Sequence, residues 1–224
     1  MKIPKFEAQT EWVKPTEFPD LRKVDEIAID LETKDPDLIK KGSGAVIGNG
    51  EVIGIAVATK NYKGYFPIGH EGGGNMDKKK VMDYFRTILN YPSKKIFHNA
   101  MYDVCFIRAA GLKINGTIID TMIAGSLVDE NRFRYDLGSM GRDYVGKGKN
   151  EAVLAETAAI WGIDAKSEMY KLPAMYVGEY AERDAELTLD LWQEMRKEIN
   201  HQDIESIFKP VSYTHLTLPT IYSV

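Results

Sequence analysis

Three segments of this chain each carry acidic residues on an otherwise apolar surface, and few folds can bury such surfaces without joining them. In 178–199, Tyr180, Asp184, Leu187, Leu191 and Met195 fall on one face of a helix. In VDEIAIDLE (24–32), side chains two apart share a face of a strand, so Asp30 and Glu32 project together. Ile27, Ile29 and Leu31 then fill the opposite face. In HNAMYDVCFIRAAG (98–111), Asp103, Ile107 and Ala110 share a helical face behind a turn at His98 and Asn99. A buried, unpaired carboxylate is costly and needs a cation or hydrogen-bond partners. Three separate buried ion pairs would meet that need; one shared divalent site meets it with fewer parts. Carboxylates with water and phosphate are what Mg²⁺ or Mn²⁺ prefer. Two such ions about 3.5–4 Å apart can clamp the attacking and leaving oxygens of a phosphodiester.

The order of elements sets these segments in one mixed α/β domain. A buried strand over 24–32 is followed by a loop at 34–50, rich in Gly, Lys and Asp. EVIGIAVAT (51–59) and GYFPIG read as a hairpin. Asp77 is placed to cap a helix whose apolar residues are Val81, Met82, Phe85, Ile88 and Leu89. KKIF (94–97) is a short strand, 100–110 a helix ended by Gly111, and 113–119 another strand. Helices are expected from Thr121 to about Val128, at 135–144, at 151–160 and from about Gly178 to Ile199. Asp190 and Glu194 fall off the apolar stripe of that last helix and are expected in solvent. His98 and Asn99 suit backbone hydrogen bonding and helix capping, and Cys105 suits core filling.

Composition narrows the functional classes. The net charge is -4, so nucleic acid would have to be held by local contacts rather than by a general basic field. Arg132, Arg134, Arg142, Lys147 and Lys149, set against Asp136 and Asp143, are a candidate path for single-stranded DNA phosphates, or else a solvated loop and helix face. A lone cysteine and 4 histidines offer no zinc-finger spacing. No apolar run is long enough for a transmembrane helix and no signal peptide is evident, so no membrane and a cytoplasmic location are expected.

IDLET, HNAMYD and YAERD, in this order and spacing, resemble the three exonuclease motifs of the DEDD superfamily. The likeness is strongest to the proofreading 3′→5′ exonuclease domain of family A DNA polymerases, phage ones in particular. IIDTMIAGSLVDE (118–130) and FRYDLGSMGRDYVG (133–146) resemble segments that follow the second motif, and the whole resemblance covers about residues 22–200. It implies a ribonuclease-H-like fold, a mixed five-stranded sheet flanked by helices. It implies that Asp30, Glu32, Asp103 and Asp184 hold two divalent metal ions. One branch of the superfamily has His five positions before the last Asp, where this chain has Glu179; the other has Tyr four before, here Tyr180. The chain therefore resembles the tyrosine branch, in which Tyr180 orients the attacking water. Thr33 and Asn99 match positions that place the terminal nucleotide and the 3′ end, while Met101 stands where the motif often has Lys.

The expected activity is two-metal hydrolysis of DNA 3′ ends to nucleoside monophosphates. The expected partners are a single-stranded 3′ end and a polymerase domain in the same natural chain. Two alternatives share the motifs: a standalone RNA-trimming exonuclease of the tyrosine branch, and a non-catalytic nucleic-acid-binding module. VSYTHLTLPT, from residue 211, resembles the translation of a transposase-type sequencing adapter, with Pro210 completed by adapter bases. The expected organisation is an extended segment at 1–21, the exonuclease domain at 22–209 and an adapter-derived tail at 210–224. On that reading, Tyr213 and His215 carry no role.

Overall fold

The computed structural model describes residues 9–217, with side chains through residue 212. The chain runs β1 (Glu26–Lys34), α1 (Leu38–Lys41), α2 (Gly44–Ile47), β2 (Glu51–Thr59), β3 (Tyr62–Pro67), α3 (Lys78–Asn90), β4 (Lys94–Phe97) and α4 (Ala100–Ala109). It continues with β5 (Ile118–Asp120), α5 (Thr121–Val128), α6 (Leu137–Met140), a π-helical turn at Gly141–Val145 and α7 (Ala152–Trp161). Two 3-10 turns, Met169–Lys171 and Ala174–Tyr176, lead into α8 (Gly178–His201) and α9 (Glu205–Thr217). The strands form one sheet in the order β3-β2-β1-β4-β5. β1 pairs antiparallel with β2 and parallel with β4, so the sheet is mixed, as expected.

Alternation along the strands creates two cores. Ile27, Ile29, Leu31, Ile55, Val57 and Phe66 face α3 and α4, where Val81, Phe85, Ile88, Val104 and Ile107 meet them. Ala28, Ala56, Ala58 and Tyr65 face the other way, against α8. The small alanines let α8 lie close to the sheet. Leu187, Leu191 and Met195 are fully buried there, each worth about 1.5–3 kcal/mol of apolar burial. Asp30 and Glu32 share the face of Ala28, so β1 presents them to α8. Tyr65 folds over Gly54, the cross-strand neighbour of Glu32; a Cβ on Gly54 would lie 1.9 Å from the tyrosine hydroxyl. The segment at 9–21 holds no helix or strand, and its Trp12 donates to Glu182 Oε1 at 2.9 Å across the start of α8.

The structure departs from the expected elements in several places. The loop at 34–50 contains α1 and α2, each a single turn, because Asp35 accepts from Gly44 N at 3.0 Å and pulls the loop into a compact knot. The strand expected at 113–119 is only Ile118–Asp120, since Gly116 has φ +81 and breaks extended pairing. The helix expected at 135–144 is α6 plus the π-helical turn, with Asp136 as cap accepting from Ser139 N. Asp103 and Ile107 are buried but Ala110, expected on their face, is exposed, because α4 ends at Ala109 and the chain turns away. α9 carries Pro210 inside it. The N-terminal residues 1–8 and residues 218–224 of the tail lie outside the described residues. Among the described residues, no helix is long and apolar enough to cross a membrane.

Candidate active site

Asp30, Glu32, Tyr180 and Asp184 line one cleft of about 1060 Å³ between β1, α8 and the loops around α6 and α7. Asp103 enters from α4 on the other side of β1 and accepts from the Leu31 backbone N–H at 3.0 Å. Its carboxylate is thereby pinned between Asp30 and Glu32 in the chain. A β-bulge falls between Glu32 and Thr33, at the end of the acidic pair. Thr33, in phase with Ile29 and Leu31, lies on the α4 side of β1, where it shares a hydrogen bond with Tyr102 at 2.8 Å; Tyr102 donates on to Asp35 at 3.1 Å. Thr33 is thus outside the lining of the cleft, beside α4.

Asn99 does line the cleft. It has φ 61 and ψ 52, a left-handed conformation that Asn tolerates better than most residues. Its side chain does not cap α4. Asp120 does that work, accepting from Asn99 N at 3.0 Å and Ala100 N at 2.8 Å. The same carboxylate accepts from Met122 N at 2.9 Å at the start of α5. Asp120 was not singled out in the sequence, although an Asp between a strand and a helix is a capping signal. His98 contacts Thr121 Oγ1 through Nδ1 at 2.8 Å.

The electrostatics are dominated by burial of like charges. Desolvation, then Asp184, pushes the Asp30 carboxyl up to about 7. Glu32 and Asp103 rise well above the usual carboxylate range, again through desolvation first and the Asp30 charge second. Desolvation also raises Asp184, while the Lys149 ammonium pulls it back. Burial next to these acids lifts the Tyr180 phenol far above its ordinary value, so it stays protonated. Lys149 contacts Asp184 Oδ2, donates to the Tyr180 hydroxyl at 3.4 Å and lies 5.2 Å from the Tyr180 ring centroid. The sequence placed Lys149 on a phosphate path; the structure places it inside the acidic cluster.

The other basic residues of that stretch divide. Arg132 is tied to Asp143 at 2.6 Å and Lys147 to Asp190 at 2.8 Å. Arg134 and Arg142 line the cleft, Arg134 paired there with Asp136 at 3.2 Å. Asp190 and Glu194 are indeed off the buried stripe, with Glu194 paired to Lys197. Cys105 is half-buried, and burial pushes its thiol up, which suits packing and not nucleophilic attack.

Whether these acids suit a divalent cation can be judged from their atoms. Among the described residues, no three His, Cys, Asp or Glu side chains stand as a ready-made metal cage. Yet Glu32 Oε1 and Asp184 Oδ1 are buried with no hydrogen-bond partner. Native structures rarely leave such atoms alone without a reason. Hard oxygen donors, gathered and lacking protein partners, fit Mg²⁺ or Mn²⁺.

The chain is also similar to known proteins over most of its length. The chain is 34% identical over 206 residues to the DNA-directed DNA polymerase of Pseudomonas phage M6, covering 89% of this chain and 31% of that one. It is 27% identical to the DNA polymerase DpoZ of Salmonella phage PMBT28, covering 86% of this chain and 29% of that one. The chain thus spans about a third of the length of these relatives. Brucella melitensis NrnC with bound Mg²⁺ superposes with a TM-score of 0.63 at 17% identity, over 89% of this chain and 87% of that one. Escherichia coli RNase D gives a TM-score of 0.61 at 15% identity, over 88% of this chain and 45% of that one. These two likenesses show the ribonuclease-H-like fold. A family model described as 3′-5′ exonuclease, that of DNA polymerase A, matches residues 17–200. The chain is a nuclease that belongs to the 3′-5′ exonuclease family of DNA polymerase A.

Proposed function

We propose that this chain removes nucleotides one at a time from a DNA 3′ end by metal-dependent hydrolysis, as the proofreading module of a longer DNA polymerase. The observation that carries the reading is the gathering of Asp30, Glu32 and Asp184 with Tyr180 in one cleft, Asp103 close behind on β1, with Glu32 Oε1 and Asp184 Oδ1 left without partners. Divalent ions held by these four side chains would supply charge neutralisation at the scissile phosphate and an activated water. Asp30 and Glu32 come from a central strand and are rigidly placed. Asp103 is fixed by the Leu31 N–H. Tyr180 remains a phenol at neutral pH and can orient a water through its hydroxyl. Asn99 in the cleft wall is placed to contact the terminal nucleotide, whereas Thr33 would need to release Tyr102 to do so. Arg134 and Arg142 offer charge to the strand's phosphates.

The DNA assignment follows from the named polymerase relatives. NrnC and the exoribonuclease RNase D share the fold, so RNA is the alternative outcome of the same test. End-labelled single-stranded DNA and RNA of one sequence are incubated with the chain in Mg²⁺ or chelator. Stepwise DNA shortening that needs Mg²⁺ and disappears in Asp30→Ala and Asp184→Ala supports the reading. Preference for RNA would replace it with RNA trimming; shortening undiminished in both variants would sink it. The organisation proposed with this function keeps 22–209 as the exonuclease domain and assigns 210–224 to adapter sequence.

A further inference from the structure

The loop between the π-helical turn and α7 is fastened to α8 at four consecutive residues. Lys147 Nζ pairs with Asp190 at 2.8 Å, and Arg183 Nε donates to the Gly148 carbonyl at 3.1 Å. Lys149 reaches Asp184 and Tyr180, and Asn150 Nδ2 donates to Glu179 Oε1 at 2.5 Å. As the loop runs forward its partners run back toward the start of α8, so the loop is a strap with Lys149 inside it. Glu179 stands where the other branch of the superfamily has its His; in this chain that position anchors the strap. Lys149 is the only Lys or Arg, among the described residues, that pairs with any of the four acids.

We propose that Lys149 is a positioning residue of the nuclease site: it holds Asp184 by Oδ2, leaving Oδ1 for a cation, and it steadies the Tyr180 hydroxyl. This rests on the exonuclease reading above. The strap makes the pose a property of the fold, since residues on both sides of Lys149 are tied to the same helix. The ammonium also offsets the mutual repulsion of Asp30, Glu32 and Asp184. A divalent ion entering the cluster must therefore share Asp184 with a resident positive charge. Removing that charge makes the acids more attractive to metal while leaving Asp184 and Tyr180 less well held. Those two effects have opposite signs, which separates positioning from mere support of the fold.

The test uses the full chain, with Mn²⁺ as probe. Binding is followed by the electron paramagnetic resonance of free Mn²⁺ without nucleic acid, and turnover by hydrolysis of a short single-stranded DNA. In Lys149→Met, Mn²⁺ should bind at least about fivefold tighter, while kcat at saturating Mn²⁺ falls at least about tenfold and KM changes less. Lys149→Arg should restore part of the lost kcat. Asn150→Ala keeps the lysine and loosens the strap; it should shift both readouts in the same directions by smaller factors, and it decides the matter if Lys149→Met fails to fold. Mn²⁺ binding that is unchanged or weaker, or kcat that is unchanged, overturns the proposal. Failure of the unaltered chain to hydrolyse DNA or RNA would sink the exonuclease reading instead, and the Mn²⁺ titration would still report on Lys149.

Discussion

Two parts of this molecule bury charge or polar groups, and they do it in opposite ways. At the start of β4, Lys95 is fully buried, and its ammonium donates to the carbonyls of Tyr91, Ser93 and Asn115. Beneath the sheet edge, His70 is likewise complete: Tyr65 donates to Nε2 at 2.6 Å and Nδ1 donates to the Leu172 carbonyl at 3.0 Å. A carbonyl can only accept, so Nδ1 carries a proton, and burial, which holds the ring down at about 4, leaves Nε2 bare to accept. Across β1, Glu32, Asp103 and Asp184 are buried beside the half-buried Asp30; Glu32 and Asp184 each keep an oxygen without a hydrogen-bond partner, and the four charges repel one another. A buried polar group with all its bonds made holds the fold together. A buried acid with bonds unmade is kept at the expense of stability and points to a ligand.

The sharpest way to break this contrast is to remove one member of each kind. Asp184→Ala should reduce hydrolysis of a 3′ end by about a thousandfold or more, about 4 kcal/mol of barrier. Lys95→Met should leave turnover per folded molecule unchanged in the same assay. Comparable losses in both would erase the distinction. In urea titrations, Lys95→Met should cost about 3 kcal/mol of stability, because three carbonyls lose their donor in an apolar setting.

A smaller effect is expected from pH. Burial holds His70 down at about 4, below its ordinary value. The folded form then prefers the neutral ring, so its contribution is present above about pH 6.5 and is lost as pH falls toward 4. Between pH 7 and 5 the loss should be about 2 kcal/mol. The raised carboxyls of the site act in the reverse sense over this range, so the difference between the unaltered chain and His70→Gln isolates the histidine. A difference independent of pH would show that His70 is not held neutral. The smallest effect expected is a gain: Asp30→Asn, melted in chelator, should be more stable by about 1 kcal/mol, since one of the crowded charges is gone. A loss there would mean that the acids are better satisfied than their geometry indicates.

Much of this contrast was legible in the amino-acid order. The apolar stripe of α8 runs through Tyr180, Asp184, Leu187, Leu191 and Met195, all buried, and alternation in β1 put Asp30 and Glu32 on one face. Both follow from fixed geometric periods. The Asp77 cap was legible for the same local reason, and it accepts from Lys80 N at 2.9 Å. What escaped was set by contacts distant in the chain. Lys149 reaches Asp184, 35 residues away, and nothing in the string around Lys149 distinguishes it from Lys147. The pairing of Thr33 with Tyr102 spans 69 residues. The split of α6 from the π-helical turn follows Gly141, whose Cβ would lie 2.7 Å from Leu187 on α8. That is a packing demand, invisible to local propensity.

The strap has one more consequence. Surface connections are ordinarily where a chain tolerates changes of length. Between Gly146 and Glu151 that freedom is gone, because the α8 partners from Glu179 to Asp190 are spaced along about 17 Å of helix at 1.5 Å per residue. Inserting or deleting one residue here would slide Lys149 off Asp184 while leaving every acidic side chain in place. The length of this loop is therefore as much a part of the proposed nuclease site as any residue in it.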